Sequence, residues 1–406
     1  MCCKSYLLKI DKSHLNKKVA KQLNLLFLES KWFVNHAIAQ GVFDVDYKTK
    51  TVLVKKGEGF EERKIQVLSS QMKQALLENL KKDIKALSIK KKNGHKVGML
   101  KFKKFIRAIP LKQFKVTYSL CGKNHICIQN IGKKLRVRGL KQIPEGVEFA
   151  NAYLIQECRD YYLRVVTYCL PDKNQQTEDK AVGIDFGVRN QLTLSNGISI
   201  QYRVPITKKL KKLYQKLSKK QKNSNNRYKA RVKVQKEFCR LNRIKDDIKN
   251  KIVSCIKNNY SIVCYQNDSI KLWQTWWGRK TFETALGEIK NILKERISTP
   301  IALKREFPST RRCFCGTENQ IQLDEEIYSC INCGLRMHRD LKASISILLE
   351  GLNQLPTERR EAALQYAERK ACGEESSTLS MFEYLNSIPH VRARLLVETG
   401  SLSALA

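Results

Sequence analysis

Asp185 interrupts an apolar run, Ala181-Val182-Gly183-Ile184-Asp185-Phe186, whose composition predicts a buried strand. A carboxylate in such a place is costly unless it holds a cation or a proton. A second acid, Asp340, follows closely on Cys313, Cys315, Cys330 and Cys333 and opens the helix-like segment Leu341–Leu349. The cysteines form two knuckles, Cys313-Phe314-Cys315-Gly316 and Cys330-Ile331-Asn332-Cys333-Gly334. Four thiolates suit one tetrahedral zinc and leave no open position, so this ion is structural rather than catalytic. The first knuckle is one residue shorter than the usual C-x-x-C. Two acids far apart in sequence, each beside a structural device, suggest a second metal site assembled by folding and acting on a phosphodiester. Each acid alone also has an ordinary reading. Asp185 fits a capping or salt-bridged residue, and Asp340 fits the N-cap of its helix.

The elements that must position these residues follow from periodicity. Residues 4–10 alternate as a strand. Helical spacing of Leu23, Leu26, Phe27, Trp32, Phe33 and Ala37 predicts a helix over about 15–40, and a second, Lys-rich helix covers 70–87. Thr51–Val54 reads as a short strand between them. Several short alternating runs from about Leu100 to Leu170, including Phe114–Tyr118, His125–Ile128, Leu135–Arg138 and Tyr161–Val166, predict a small barrel. Pro171–Gln176 is a polar linker. Asn196-Gly197 between Leu192–Ser195 and Ile198–Ile200 predicts a hairpin next to the Asp185 strand. Ser261–Tyr265 is a further buried strand, running into Gln266-Asn267-Asp268. Trp273, Trp276 and Trp277 follow, then a helix through Ile297 and a strand at Pro300–Leu303.

The chain has 406 residues with 77 Lys and Arg against 38 Asp and Glu, a net charge of +39. That self-repulsion calls for a polyanion, and nucleic acid is the expected partner. Basic ribosomal or chromatin proteins rarely carry this much non-repetitive apolar sequence. Residues 206–257 are predicted to form two long antiparallel helices rich in Lys and Arg. Their phosphate-facing surface includes Lys208, Lys209, Lys211 and Lys212. No signal peptide or membrane-length apolar run is visible, so the expected location is cytoplasmic and nucleoid-associated, with no membrane partner. Of the 14 cysteines, those scattered in apolar stretches read as reduced.

Asp185 and Asp340, with a third acid after the strand at 261–265, resemble the acid trio of an RNase H-like site. The chain also resembles TnpB, the transposon-encoded RNA-guided endonuclease family ancestral to type V CRISPR effectors. The matching segments are G-I-D-F-G (Gly183–Gly187), I-V-C-Y-Q-N-D-S-I with its trailing tryptophans, F-P-S-T-R-R-C-F-C-G, the second C-x-x-C-G and R-D-L-K-A-S (Arg339–Ser344). Leu23–Asn35 and Glu383–Val391 are similar to members of this group as well. The resemblance implies an α+β multidomain fold containing a RuvC nuclease domain. It implies two Mg²⁺ ions held by the acids, a structural Zn²⁺, a guide RNA and a double-stranded DNA target. The boundaries it suggests are a β-barrel wedge domain at 1–10 and 97–172, a helical recognition domain at 11–96, and RuvC at 178–308 and 338–352. A zinc ribbon would span 309–337, and 353–406 would be a C-terminal tail.

Three positions depart from the family pattern. Gln266 stands where the middle Glu is expected, Lys342 where Asn is usual, and His338 where Asp is usual. The strand period puts Asp268 on the same face as Gln266, so Asp268 is the candidate third acid. The expected function is an RNA-guided, Mg²⁺-dependent DNA endonuclease reading a short flanking motif, with Asp185, Asp268 and Asp340 as catalytic metal ligands. The rival readings are a nuclease-deficient guided DNA-binding repressor and a guide-free transposase or resolvase.

Overall fold

The computed structural model of the chain describes residues 2–42, 45–57, 59–169, 179–322, 325–371 and 375–396. The linker expected at Pro171–Gln176 lies outside the described residues. The chain divides into two compact units, Met1–Asp172 and Lys173–Ala406.

The first unit is built on a seven-stranded antiparallel sheet. Its order is Ala108–Leu111, Glu148–Glu157, Asp160–Cys169, Cys2–Ile10, Leu135–Arg138, His125–Ile128 and Tyr118–Leu120. The alternation seen in sequence sends Leu8, Ile10, Leu135, Val137, Leu163 and Val165 into one core. The sheet curls until its two ends nearly meet, giving an almost closed barrel. The Tyr118 hydroxyl donates to the Ala150 carbonyl (2.6 Å), and the Phe114 ring stacks on Phe149 with centroids 4.5 Å apart. Phe114–Thr117, expected as strand, is instead a tight turn. Lys115 is left-handed (φ 66°), and the Thr117 amide donates to the Gln113 carbonyl. The alternation there reflects Phe114 folding back onto Tyr118, at 5.3 Å, rather than a continuous strand. Cys121 and Cys127 form a disulfide across the turn between neighbouring strands, an exception to the expected reduced state.

Two helices, Lys17–Gln40 and Ser70–Lys92, belong to the same unit. Asn16 and Ser69 cap them by accepting from the Val19 and Met72 amides. Between them Thr51–Lys56 pairs with Gly59–Lys64. Sequence reading finds only the first of these strands, because the second, Gly-Phe-Glu-Glu-Arg-Lys, ends in four consecutive charged residues. Glu29, fully buried in the first helix, accepts from the amides of Gln66, Val67 and Leu68 at 2.8, 2.9 and 2.7 Å. Three backbone donors satisfy the carboxylate and fix the entry to the second helix.

The second unit holds a six-stranded mixed sheet. Thr299–Leu303, Ile262–Gln266 and Ala181–Phe186 run parallel; Leu192–Leu194, Ile198–Tyr202 and Val391–Leu395 continue it antiparallel. The hairpin predicted at Asn196-Gly197 is present, with Gly197 left-handed. The C-terminal segment thus supplies an edge strand, after helices Thr357–Ala371 and Glu375–Ser387. Of the basic helices, the first is short, Lys208–Ser218, and the second is long, Asn225–Asn259. Thr207 and Ser224 cap them. Among the described residues no helix is long and apolar enough to cross a membrane.

Helix Arg339–Leu352 lies directly on strand Ala181–Phe186. Gly183 permits this approach. A Cβ there would sit 2.1 Å from the Ser344 carbonyl oxygen and 2.9 Å from Leu348. Gly183→Ala must therefore push the helix away. It is expected to cost at least about 1–3 kcal/mol, read as a fall in Tm. Gly278→Ala, which meets open space, should leave Tm unchanged or slightly raised.

Candidate functional site

The close approach at Gly183 brings the two acids of the sequence analysis together. Asp185 sits near the end of its strand, half-buried, and Asp340 lies in the first turn of the helix packed over that strand. His338, not Asp340, caps the helix: its Nδ1 accepts from the Asp340 amide at 3.2 Å. The Asp340 side chain is thus free for other partners, in a position favoured for a negative charge. Its Oδ2 accepts from Asn190 Nδ2 at 2.9 Å, and Arg339 Nε lies 3.6 Å from Oδ1. Asn190 in turn accepts from Gln201 Nε2 at 2.7 Å. Sequence reading misses Asn190. The polar turn Val188-Arg189-Asn190-Gln191, directly after G-I-D-F-G, is the signal that could have marked it.

Asp268 joins the other two acids electrostatically. Burial, then the charges of Asp340 and Asp268, push the Asp185 carboxyl well above the ordinary carboxylate range. Asp268 is itself raised by burial, opposed by Lys290 and Arg305. Lys290 steadies this segment by donating to Asn267 Oδ1 at 2.6 Å and to the Asp268 carbonyl at 2.9 Å. The route to this position differs from the one expected. The strand ends at Gln266, so Asp268 lies beyond it, and alternation along a strand does not place it.

Gln266 is the position level with Asp185, one step past the paired residues Ile184 and Tyr265. Its side chain is buried and fully engaged elsewhere. Nε2 donates to the carbonyls of Arg305 and Phe307, both at 2.8 Å, and Oε1 accepts from Ser309 Oγ at 2.9 Å. Lys342, also fully buried, grips the same stretch. Its Nζ donates to the carbonyls of Ser309 (2.8 Å), Thr310 (3.2 Å) and Arg312. The ammonium lies 4.6 Å from the centre of the Tyr328 ring. Burial lowers its pKa to about 8, while Cys313 and Cys330 pull it back upward.

The segment so held leads into the four cysteines. Their sulfurs all lie within 4.8 Å of one another, with Cys313 and Cys330 buried and Cys315 and Cys333 exposed. Cys313 and Cys333 sulfurs are 3.6 Å apart, and those of Cys315 and Cys330 are 3.7 Å apart. A tetrahedron with metal–sulfur bonds of about 2.3 Å has edges of about 3.8 Å, so the set fits one zinc. The shortened first knuckle does not spoil the geometry, because Gly316 and Gly334 adopt left-handed backbone (φ 89° and 72°). Hydrogen bonding with Thr317 lowers the Cys315 thiol to about 5, whereas burial and the surrounding sulfurs push Cys333 up against the Leu335 backbone hydrogen bond. Four thiolates cannot accumulate charge together without a cation. Among the described residues this is the only group of three or more His, Cys, Asp or Glu side chains that meets so tightly. Asp185, Asp268 and Asp340 share one electrostatic field but do not converge to that degree.

Of the lysines expected to face phosphate, Lys208, Lys211 and Lys212 are exposed on their helix. Lys209 is exposed too, but pairs with buried Glu237 at 2.8 Å, which Arg240 also contacts.

An acid-bearing strand, an acid-bearing helix packed on it and a cysteine cluster between them in sequence belong to one mixed α/β unit. Residues 164–267 match the family OrfB_IS605, described as a probable transposase. Over 183 residues the chain is 28% identical to a protein of Streptomyces pristinaespiralis provisionally named RNA-guided DNA endonuclease, covering 42% of this chain and 45% of that protein. Over 139 residues it is 27% identical to the Escherichia coli K12 protein provisionally named RNA-guided DNA endonuclease InsQ, covering 33% of each. The matches thus span less than half of these relatives. A solved Cas12f1–sgRNA–target DNA complex aligns with a TM-score of 0.47 at 14% identity, over 82% of this chain and 83% of that one. These matches support a TnpB-like protein.

Proposed function

We propose that the chain is an RNA-guided DNA endonuclease in which Asp185, Asp268 and Asp340 hold two Mg²⁺ ions. The observation that carries this reading is the raised Asp185 carboxyl, pushed up first by burial and then by two other acids from separate elements. Such a field is unfavourable for a chain alone and is relieved by hard cations, for which carboxylate oxygens are the natural ligands. When bound, the two ions supply an activated water and stabilise the leaving oxygen. Asn190 orients Asp340, and Lys290 holds the turn that presents Asp268. A guide RNA would read one strand of double-stranded DNA by base pairing, leaving the protein to read a short flanking motif. Lys208, Lys211 and Lys212, with the basic barrel surface, would hold phosphates. The names of the relatives support the same partners.

One observation favours a second reading, a guided DNA-binding repressor with a failed nuclease site. Gln266 is turned away into the 305–309 segment, and the middle carboxylate is absent from its usual place. Asp268 decides between the two. With guide RNA, Mg²⁺ and a matched supercoiled plasmid, wild type is expected to cut, Asp268→Asn to be inactive and Asp268→Glu to retain or exceed wild-type rate. Tight guided binding by wild type without any cutting would replace the nuclease with the repressor.

A further inference from the structure

The second unit contains a cleft of about 390 Å³ whose walls carry Arg189, Arg203, Lys280, His390, Arg392 and Gln201. Its cations outnumber its acids. Arg189 pairs with exposed Glu326 and Arg203 with buried Glu283, but Lys280 and Arg392 are exposed and make no ion pair with an acid among the described residues. A concave, positively charged surface of this kind suits an anion whose charge is spread over several oxygens.

Its place in the sheet says which anion. Asp185 pairs with Thr193, Thr193 with Ser199, and Ser199 with Arg394. Directly opposed residues point to the same face, so Arg394 shares the face of Asp185. Arg392, opposite Gln201, lies one pleat further along that face. Three strand spacings of about 4.8 Å separate Asp185 from the Arg394 position, about 14 Å in all. Arg392 lies about 7 Å further along its strand, so about 16 Å from Asp185; at about 3.4 Å of rise per nucleotide in a duplex strand, that is no more than about five nucleotides. Gln201 ties the cleft wall to Asp340 through Asn190, two hydrogen bonds away.

We propose that this cleft is a phosphate site for the DNA strand being processed. Arg392 and Lys280 hold a backbone phosphodiester within about five nucleotides of the one at Asp185 and Asp340. The proposal rests on the nucleic-acid-processing reading of those acids. It gives the C-terminal strand a function: it brings Arg392 into the second wall of the groove. The two cations contact non-bridging oxygens and carry no sequence information, as backbone contacts do.

The test uses the full chain and a short fluorescein-labelled single-stranded DNA, in Ca²⁺ without Mg²⁺, followed by anisotropy across a salt series. Arg392→Gln with Lys280→Gln should lower the slope of log affinity against log salt by about 1.4, two contacts at about 0.7 each. Arg392→Lys should keep the wild-type slope, because a point charge suffices. A parallel cleavage assay would place single methylphosphonates along the strand. Interference is expected within about five nucleotides of the cut in wild type and should vanish in the double variant. An unchanged slope in the double variant, or no binding of the strand by wild type, overturns the proposal. A lowered slope with no cutting by wild type sustains the cleft and removes the nuclease reading instead.

Discussion

Asp185→Ala and Asp340→Ala are each expected to abolish cutting of a guide-matched plasmid while guided binding of the same DNA survives. Stabilisation of transition-state charge by metal ions is worth several kcal/mol. At 1.36 kcal/mol per tenfold, a loss of about 4 kcal/mol is about 10³-fold in rate. Binding survives because affinity comes from phosphate contacts elsewhere. Either variant cutting at near wild-type rate would remove these acids from the site. A calorimetric readout separates loss of metal from loss of fold. The Asp185 carboxyl is raised by burial and by two like charges. Its contribution to stability is full below the ordinary Asp range and is lost as pH rises through the raised value. Asp185→Asn removes that loss, so without Mg²⁺ at neutral pH its Tm should exceed that of wild type. Mg²⁺ should raise the wild-type Tm more than that of the variant. The opposite order would mean that Asp185 is satisfied without a cation.

Cys330→Ser is expected to remove the zinc and, with it, the cutting activity. Structural zinc contributes about 10–16 kcal/mol in small peptide sites, so the ribbon should lose its fold rather than merely loosen. The damage should spread along a short path. Ser309, Thr310 and Arg312 accept from Lys342 Nζ, and Lys342 lies on the helix that carries Asp340. Elemental analysis should give one zinc in wild type and none in the variant. Amide exchange should speed up at 305–337 and in the first turn of the helix from Arg339, while the barrel of the first unit stays protected. A zinc-free wild type with a slow-exchanging ribbon would mean that packing alone holds the knuckles.

Local chemistry was the most legible part of this chain. The strand carrying Asp185, the Asn196-Gly197 hairpin, the four cysteines and the helix carrying Asp340 follow from patterns a few residues long. Asn190 was not legible, because its partner Asp340 lies far along the chain and only folding joins them. The charged strand Gly59–Lys64 escaped for a different reason: its pairing is made by backbone, and its side chains do not advertise it. Strand alternation does not place Asp268, since the strand stops at Gln266 and a turn held by Lys290 does the placing. Val391–Leu395 reads as tail in sequence because nothing local reveals that the sheet still has an open edge for it.

Gln266 and Lys342 look like two unrelated departures when read along the chain. In three dimensions they are partners in one task, since five carbonyls between Arg305 and Arg312 depend on their protons. Substitutions at the two positions are therefore expected to be non-additive. Gln266→Glu alone would set a carboxylate against the Arg305 and Phe307 carbonyls. Lys342→Asn alone would strand three more. A carboxylate at 266 needs another way of holding the 305–312 segment, so installing a middle acid there means rebuilding a loop, not exchanging one residue.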